Sequence, residues 1–244
     1  MRSKIAFITG ASHGIGRAIA VEFARAGYSL ALNCRSSADE LNKLAKELNE
    51  TYGIPCIALI GDAGDEDFVN HAFLRTEQTL GAVTTLVNNA GLSHIGLLSD
   101  MRLMEWERIM KTNLTSVFCC CKRAIPNMVH GKYGQILNIS SVWGNIGTSC
   151  EVAYSASKGG VNAFTKALAK ELAPSCIAVN GIACGVIDTR MNQCFSEEER
   201  RQLAEEIPAG RFGSVQEVAQ LALSVVTSPL YLTGQIITMD GGWQ

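Results

Sequence analysis

Tyr154 and Lys158 stand four residues apart in Tyr154-Ser155-Ala156-Ser157-Lys158, thirteen residues after Ser141. On a helix, positions i and i+4 share a face, so a phenol and an ammonium would project into one space. A free phenol ionises near pH 10, and a neighbouring cation favours the phenolate. That pairing brings a tyrosine towards acid–base work near neutral pH, where it can exchange a proton with a carbonyl oxygen. Nearer the N-terminus, Thr9-Gly10-Ala11-Ser12-His13-Gly14-Ile15-Gly16 lies between an apolar run and a helical pattern. Glycines there permit a tight turn and let backbone approach a pyrophosphate, which sits at the positive N-terminus of the next helix. A dinucleotide cradle and a tuned proton donor in one chain point to an oxidoreductase acting on C=O and CH–OH groups.

These groups need a scaffold, and the remainder of the 244 residues supplies one. Short apolar runs at about 5–9, 29–34, 55–60, 85–88, 135–140, 178–182 and 235–239 alternate with helical patterns near 14–26, 38–52, 66–80, 103–130, 153–173 and 216–227. Runs rich in Ile, Val and Leu with little alternation suit strands buried on both faces, as in a parallel sheet. With right-handed crossovers they predict an α/β fold: one doubly wound Rossmann domain over residues 1–244, its seven-stranded parallel sheet flanked by helices on both faces. No internal repeat or low-complexity linker divides it. Between Cys184 and Phe212 the rhythm breaks, and Ser196 with Glu199 three residues on fits a capping box opening a charged helix. Because ligands bind beyond the carboxyl ends of strands in such sheets, a helical insertion at about 185–212 is expected to form a substrate lid.

Composition narrows the partners. Hydrophobic residues make up 47% and charged residues 18%, and the formal charge is −2, which argues against nucleic acid, whose binding needs concentrated Lys and Arg. No apolar run reaches the roughly 18 residues of a membrane span, and the first predicted strand begins too early to leave room for a signal peptide. The nine cysteines lack CxxC metal spacing, and Cys119-Cys120-Cys121 falls inside a helical pattern. They read as free thiols in a reducing, cytoplasmic setting, in which the sequons at Asn49, Asn113 and Asn138 carry no sugar.

The second strand decides the cofactor. An NAD site places a carboxylate at its end to bind the ribose 2′-hydroxyl. Cys34 occupies that position here and Arg35 follows. A guanidinium there can fork onto a 2′-phosphate, with His13 assisting, so NADP(H) is expected over NAD(H).

The glycine spacing is not the GxGxxG of ordinary dinucleotide folds; it resembles the TGxxxGxG of the short-chain dehydrogenase/reductase family. The resemblance runs the length of the chain. It implies that Gly10, Ser12, His13, Gly14, Ile15 and Gly16 surround the cofactor phosphates. It places Asp62 and Ala63 at the adenine, and makes Asn89, Ala90 and Gly91 of Asn88-Asn89-Ala90-Gly91 the floor beneath the adenosine ribose. Val179-Asn180-Gly181-Ile182-Ala183-Cys184-Gly185 with Asp188-Thr189 resembles the family's VNxIxPG…T, implying that Ile187 and Thr189 meet the nicotinamide carboxamide. Tyr231-Leu232-Thr233-Gly234-Gln235 through Asp240-Gly241-Gly242 is similar to its C-terminal YxTGxxxxxDGG. The catalytic set it implies is Asn113, Ser141, Tyr154 and Lys158. Tyr154 is the proton donor, Ser141 hydrogen-bonds the same carbonyl oxygen, and Asn113 holds a water through which Lys158 relays protons. Tyr154 and Lys158 also contact the cofactor. Ser140 competes for the serine role, but the thirteen-residue interval and the following Val-Trp-Gly favour Ser141.

Within the family, length and motifs are most similar to the 3-oxoacyl-[acyl-carrier-protein] reductases, which implies a ketone reductase of fatty acid biosynthesis and a homotetramer built on two long helices. Gly160, Ala163 and Ala167 give the second of these a small-residue face. Three departures qualify the substrate. Cys184 stands where the family has proline. Glu151 replaces a neutral glutamine in the loop before Tyr154. Of two basic positions that dock the acidic carrier protein, Lys132 keeps one and Ser175 occupies the other. Ser-Val-Trp-Gly, Ser-Cys-Glu-Val and Ala-Cys-Gly together resemble the elongation-factor-P 5-aminopentanone reductases, whose ketone ends in an amine, so Glu151 is a candidate receptor for a cationic substrate. Steroid or sugar alcohol dehydrogenases and a non-catalytic NADPH sensor are further alternatives; the presence of Ser141, Tyr154 and Lys158 weighs against the last.

Overall fold

The computed structural model of the chain describes residues 4–190 and 196–244. Its strands are β1 (Ile5–Ile8), β2 (Ser29–Cys34), β3 (Cys56–Ile60), β4 (Thr85–Asn88), β5 (Gly134–Ser141), β6 (Ile177–Cys184) and β7 (Ile236–Met239). They pair in parallel in the order β3-β2-β1-β4-β5-β6-β7. The winding direction reverses between β1 and β4, which opens the crevice where such sheets take ligands.

The central strands are buried along their length because helices cover both faces of the sheet, and the polar residues of β5, among them Gln135 and Asn138, are buried with the rest. Ala6 and Ile8 of β1 enter one core, while Ile5 and Phe7, pointing the other way, enter a second. On the first face lie α1 (Gly14–Arg25), α2 (Ala38–Tyr52) and α9 (Val215–Thr227), contributing Ile19, Phe23, Leu41, Leu44 and Val218. On the second lie α3 (Glu66–Thr79), α5 (Ser116–His130) and α7 (Val152–Leu172), with Val69, Val117, Ala124 and Leu168. Phe73 of α3 stacks on Phe7, ring centroids 4.4 Å apart. Among the described residues every cysteine is free, and Cys119, Cys120 and Cys121 are buried in α5. No helix of the described residues is long and apolar enough to cross a membrane.

Three departures from the sequence pattern bear on the site. The single helix expected over 103–130 is instead α4 (Leu103–Met110) and α5, joined by a π-turn at Lys111–Thr115. An extra residue in one turn shifts the 3.6-residue phase by about 100°, but α4 has only 8 residues in which to show its own phase, and such turns recur at functional sites. Strands β5 and β6 run on to Ser141 and Cys184, which pair with each other, and Val142 N–H donates to the Cys184 carbonyl at 3.0 Å. Gly160 does not belong to a free small-residue face: a Cβ there would lie 2.9 Å from Leu114 Cδ2, so that glycine is used for packing within the chain.

Of the span expected to form a lid, residues 191–195 lie outside the described ones. Beyond them Ser196 caps α8 (Glu197–Glu206) with the reciprocal Ser196–Glu199 bonds that the sequence implied. Ser214 and Glu217 do the same for α9. A short α6 (Trp143–Ile146) follows β5 directly.

Candidate active site

The glycine loop after β1 is built for close approach. Gly10 and Gly14 hold φ of 65° and 57°, the left-handed region that favours glycine. A Cβ on Gly16 would lie 2.5 Å from Asn89 Nδ2 and nearer still to the Gly10 carbonyl oxygen. The loop after β4 is sewn to it. Thr9 Oγ1 accepts from the N–H of Asn89 at 2.9 Å and of Ala90 at 3.0 Å, while Asn89 Nδ2 donates to the carbonyls of Thr9 and Gly10, both at 3.0 Å. His13, the residue before α1, is extended and its side chain caps nothing. The first N–H groups of α1 are therefore left to face the cleft, a ready anion cradle.

That loop forms one wall of a cleft of about 380 Å³. Gly10, Ser12, His13, Gly14 and Ile15 line it from β1; Arg35 joins them from the end of β2; Asp62 and Ala63 from β3; and Asn89, Ala90 and Gly91 from β4. The opposite wall carries Ser141, Tyr154, Lys158, Ile187 and Thr189. Gly16, Asn113 and Glu151 stand behind this lining. Asp62 caps its own turn by accepting from Gly64 N–H at 2.8 Å and pairs with Lys111 of the π-turn at 3.3 Å. Four cations (Arg35, Arg108, Lys158, Arg190) and one carboxylate (Asp62) line the cleft of a chain whose net charge is −2. The uncapped helix end, the glycines that keep side chains away and this local positive charge fit a dinucleotide with its phosphates.

At the other end, β5 delivers Ser141 and α7 delivers Tyr154 and Lys158. Trp143 N–H donates to Ser141 Oγ at 3.2 Å, which leaves the Ser141 hydroxyl hydrogen to point elsewhere. Ser140 instead donates to the backbone oxygen of Lys158 at 3.4 Å. The α6 turn packs against the α7 backbone through Gly144, where a Cβ would sit 2.7 Å from the carbonyl carbon of Lys158.

Burial dominates the electrostatics here. Tyr154 is half-buried in the cleft wall. Burial pushes the phenol well above its free value, with a hydrogen bond to Ser141 pulling the other way and Cys184 and Glu151 adding small upward contributions. The sequence pairing implied the reverse direction. Lys158 Nζ lies 5.8 Å from the centre of the Tyr154 ring and donates to the Ile139 carbonyl at 2.8 Å. The ammonium is itself lowered to about 8, again by burial. Cys184, against both, is pushed up to about 12 by burial, which keeps it a thiol.

Asn113 and Ser157 form a connection that the spacing of the motifs does not reveal. In the π-turn, Asn113 is buried; its Oδ1 accepts from Leu92 N–H, and its Nδ2 donates to the Leu92 carbonyl and to Ser157 Oγ, each at 2.9 Å. Ser157 passes the chain on by donating to the Tyr154 carbonyl at 2.7 Å. The β4 loop, the π-turn and the first turn of α7 are thus locked together. Glu151, just before α7, accepts a hydrogen bond from the Ser93 hydroxyl in the loop after β4.

The comparisons agree with this geometry. The family model of the short chain dehydrogenases matches residues 4–200. The chain is 36% identical over 242 residues to the uncharacterized oxidoreductase YmfI of Bacillus subtilis (strain 168), covering 99% of each. It is 37% identical over 243 residues to the 3-oxoacyl-[acyl-carrier-protein] reductase FabG of Aquifex aeolicus, covering 99% of this chain and 98% of that protein. Among solved structures, YwfH, an NADPH-dependent reductase involved in bacilysin biosynthesis, superposes with a TM-score of 0.93 at 27% identity, covering 100% of this chain and 99% of that one.

Proposed function

Given that this chain belongs to the short-chain dehydrogenase family, we propose that it is an NADPH-dependent ketone reductase, similar in activity to the 3-oxoacyl-[acyl-carrier-protein] reductases. The observation that carries the reading is the convergence of Ser141, Tyr154 and Lys158 at one end of a cleft whose other end is a glycine cradle rimmed by Arg35. A reduced nicotinamide bound in such a cleft supplies the hydride for a carbonyl carbon. Ser141 donates a hydrogen bond to the carbonyl oxygen, and Tyr154 gives that oxygen its proton as negative charge develops. The raised phenol pKa keeps the proton on Tyr154 until it is needed, and Lys158, poised near 8, is suited to resupply it. Asn113 fixes the loops on which this geometry rests. Arg35 holds the 2′-phosphate, Asp62 and Ala63 meet the adenine, and Ile187 and Thr189 meet the nicotinamide. The segment 185–212 serves as a lid.

Two features bear on substrate and assembly. Glu151 is partly buried beside the site, close enough for its charge to act on Tyr154, and no Lys or Arg among the described residues forms an ion pair with it. That observation favours a second reading, in which the ketone carries a cationic end, as in an aminoketone. Phe118 and Val129 of α5 are exposed, as are Ala163 and Ala167 of α7, and this surface supports assembly as a homotetramer. The free thiols of the described residues suit a cytoplasmic enzyme.

The test replaces Tyr154 with Phe and follows dinucleotide oxidation with an acetoacetyl thioester. Turnover falls by at least about a thousandfold, as expected for loss of the acid in the transition state, while NADPH binding persists. The wild-type enzyme works faster with NADPH than with NADH. Substantial activity in the Phe variant, or equal rates with the two cofactors, would remove the mechanism or the cofactor assignment respectively.

A further inference from the structure

On the reading of the cleft as a dinucleotide site, we propose that Arg190 clamps the cofactor diphosphate against the N-terminus of α1. Arg190 follows Thr189, and this strand-end segment lies directly over the glycine loop: the nearest atoms to a Cβ built on Gly14 are Thr189 Cγ2 at 3.7 Å and Thr189 Cβ at 3.9 Å. Arg190 lines the main cleft and also both hollows that flank the loop on its outer side. Arg190 therefore lies at the rim of the glycine loop, where the three hollows meet.

Two of the other cations that line the flanking hollows are engaged. Arg17 is held by Glu47 at 3.1 Å and Arg25 by Glu22 at 2.9 Å. Asp188, the carboxylate nearest to Arg190 in sequence, is held by Arg200 at 2.8 Å. Among the described residues no carboxylate lies within ion-pair distance of Arg190. An exposed guanidinium with no ion pair among the described residues, close to uncapped N–H groups at a helix end, gives one anion two sets of donors. A diphosphate offers the paired oxygens that a planar fork matches. Arg35 and Arg190 then divide the charge of the ligand between them, the first holding the 2′-phosphate and the second the bridge common to both nicotinamide cofactors.

That division is what the experiment reads. Dissociation constants for NADPH, NADH and adenosine 2′-monophosphate are measured by titration calorimetry on the wild type, Arg190→Ala, Arg190→Lys and Arg35→Ala. Arg190→Ala weakens NADPH and NADH by the same factor, about tenfold for one lost charge-assisted pair, and leaves adenosine 2′-monophosphate unchanged. Arg190→Lys recovers part of the loss, because the charge remains and the fork does not. Arg35→Ala shows the opposite pattern, weakening NADPH and adenosine 2′-monophosphate and sparing NADH. An unchanged NADH constant in Arg190→Ala overturns the proposal, and so does a loss confined to the two 2′-phosphorylated ligands. A wild type that binds neither dinucleotide removes the cofactor reading and this inference together. A fully active Tyr154→Phe enzyme removes only the catalytic reading, since binding is measured without turnover.

Discussion

Lys158 costs the folded protein stability while it is charged, and Lys158→Met measures how much. Burial lowers its pKa from 10.5 to about 8. At about 1.4 kcal/mol per pKa unit this difference corresponds to roughly 3 kcal/mol of penalty for keeping the buried ammonium protonated. Methionine is of similar length and carries no charge, but it forfeits the bond to the Ile139 carbonyl, about 1 kcal/mol. Below pH 8 both folded and unfolded chains hold the lysine proton, so the penalty is complete. Between about 8 and 10.5 the unfolded chain keeps the proton that the folded one has released. Wild-type stability therefore rises with pH across that window, whereas the Met variant gains nothing from this site. Both proteins are best compared in a Cys184→Ala background, because the Cys184 thiol titrates above pH 9 and interacts with Lys158. Urea unfolding at fixed protein concentration without cofactor reads the difference. The Met variant is the more stable by about 2 kcal/mol at pH 7, and the advantage vanishes or reverses near pH 10. A gap that stays constant from pH 7 to 10, or a Met variant less stable at pH 7, refutes the reasoning.

Gly16→Ala sets a methyl against the Gly10 carbonyl and Asn89 Nδ2; backbone cannot yield there, so the melting temperature drops and NADPH affinity falls at least tenfold, and a normal binding constant would show that the two loops are not held as described. Glu151→Gln keeps the shape and removes the charge. It lowers kcat/KM for an aminoketone by about tenfold while sparing a neutral acetoacetyl thioester, and equal effects on the two would dispose of the cationic-substrate reading.

The fold was open to sequence reasoning because strands buried on both faces are rich in apolar residues with little alternation; β2 and β4 begin and end where the residue pattern puts them. The glycine loop was open for a similar reason: close backbone approach admits only one residue type, so Gly10 and Gly16 announce themselves. What escaped depends on a third dimension. Asn113 was named through the family resemblance alone, and neither the π-turn that carries it nor its bond to Ser157 could be read from spacing. Gly160 suggested a face for another chain, but Leu114, 46 positions earlier, fills that space. Arg190 drew no attention because it follows a family motif instead of belonging to it.

The direction of the Tyr154 shift shows most clearly why a motif is not a mechanism. A tyrosine and a lysine one helical turn apart suggest mutual stabilisation of phenolate and ammonium, and in water that argument holds. Here both groups are withdrawn from water, and desolvation opposes charge on each: it raises the phenol and lowers the amine. Burial accordingly favours the neutral phenol, which can give up a proton but is a poor base. A site that removes a proton from an alcohol needs the phenolate; a site that protonates a forming alkoxide needs the phenol. Burial holds Tyr154 as the phenol beside Ser141, the form that the proposed reduction needs, and the same burial makes Lys158 a liability for folding.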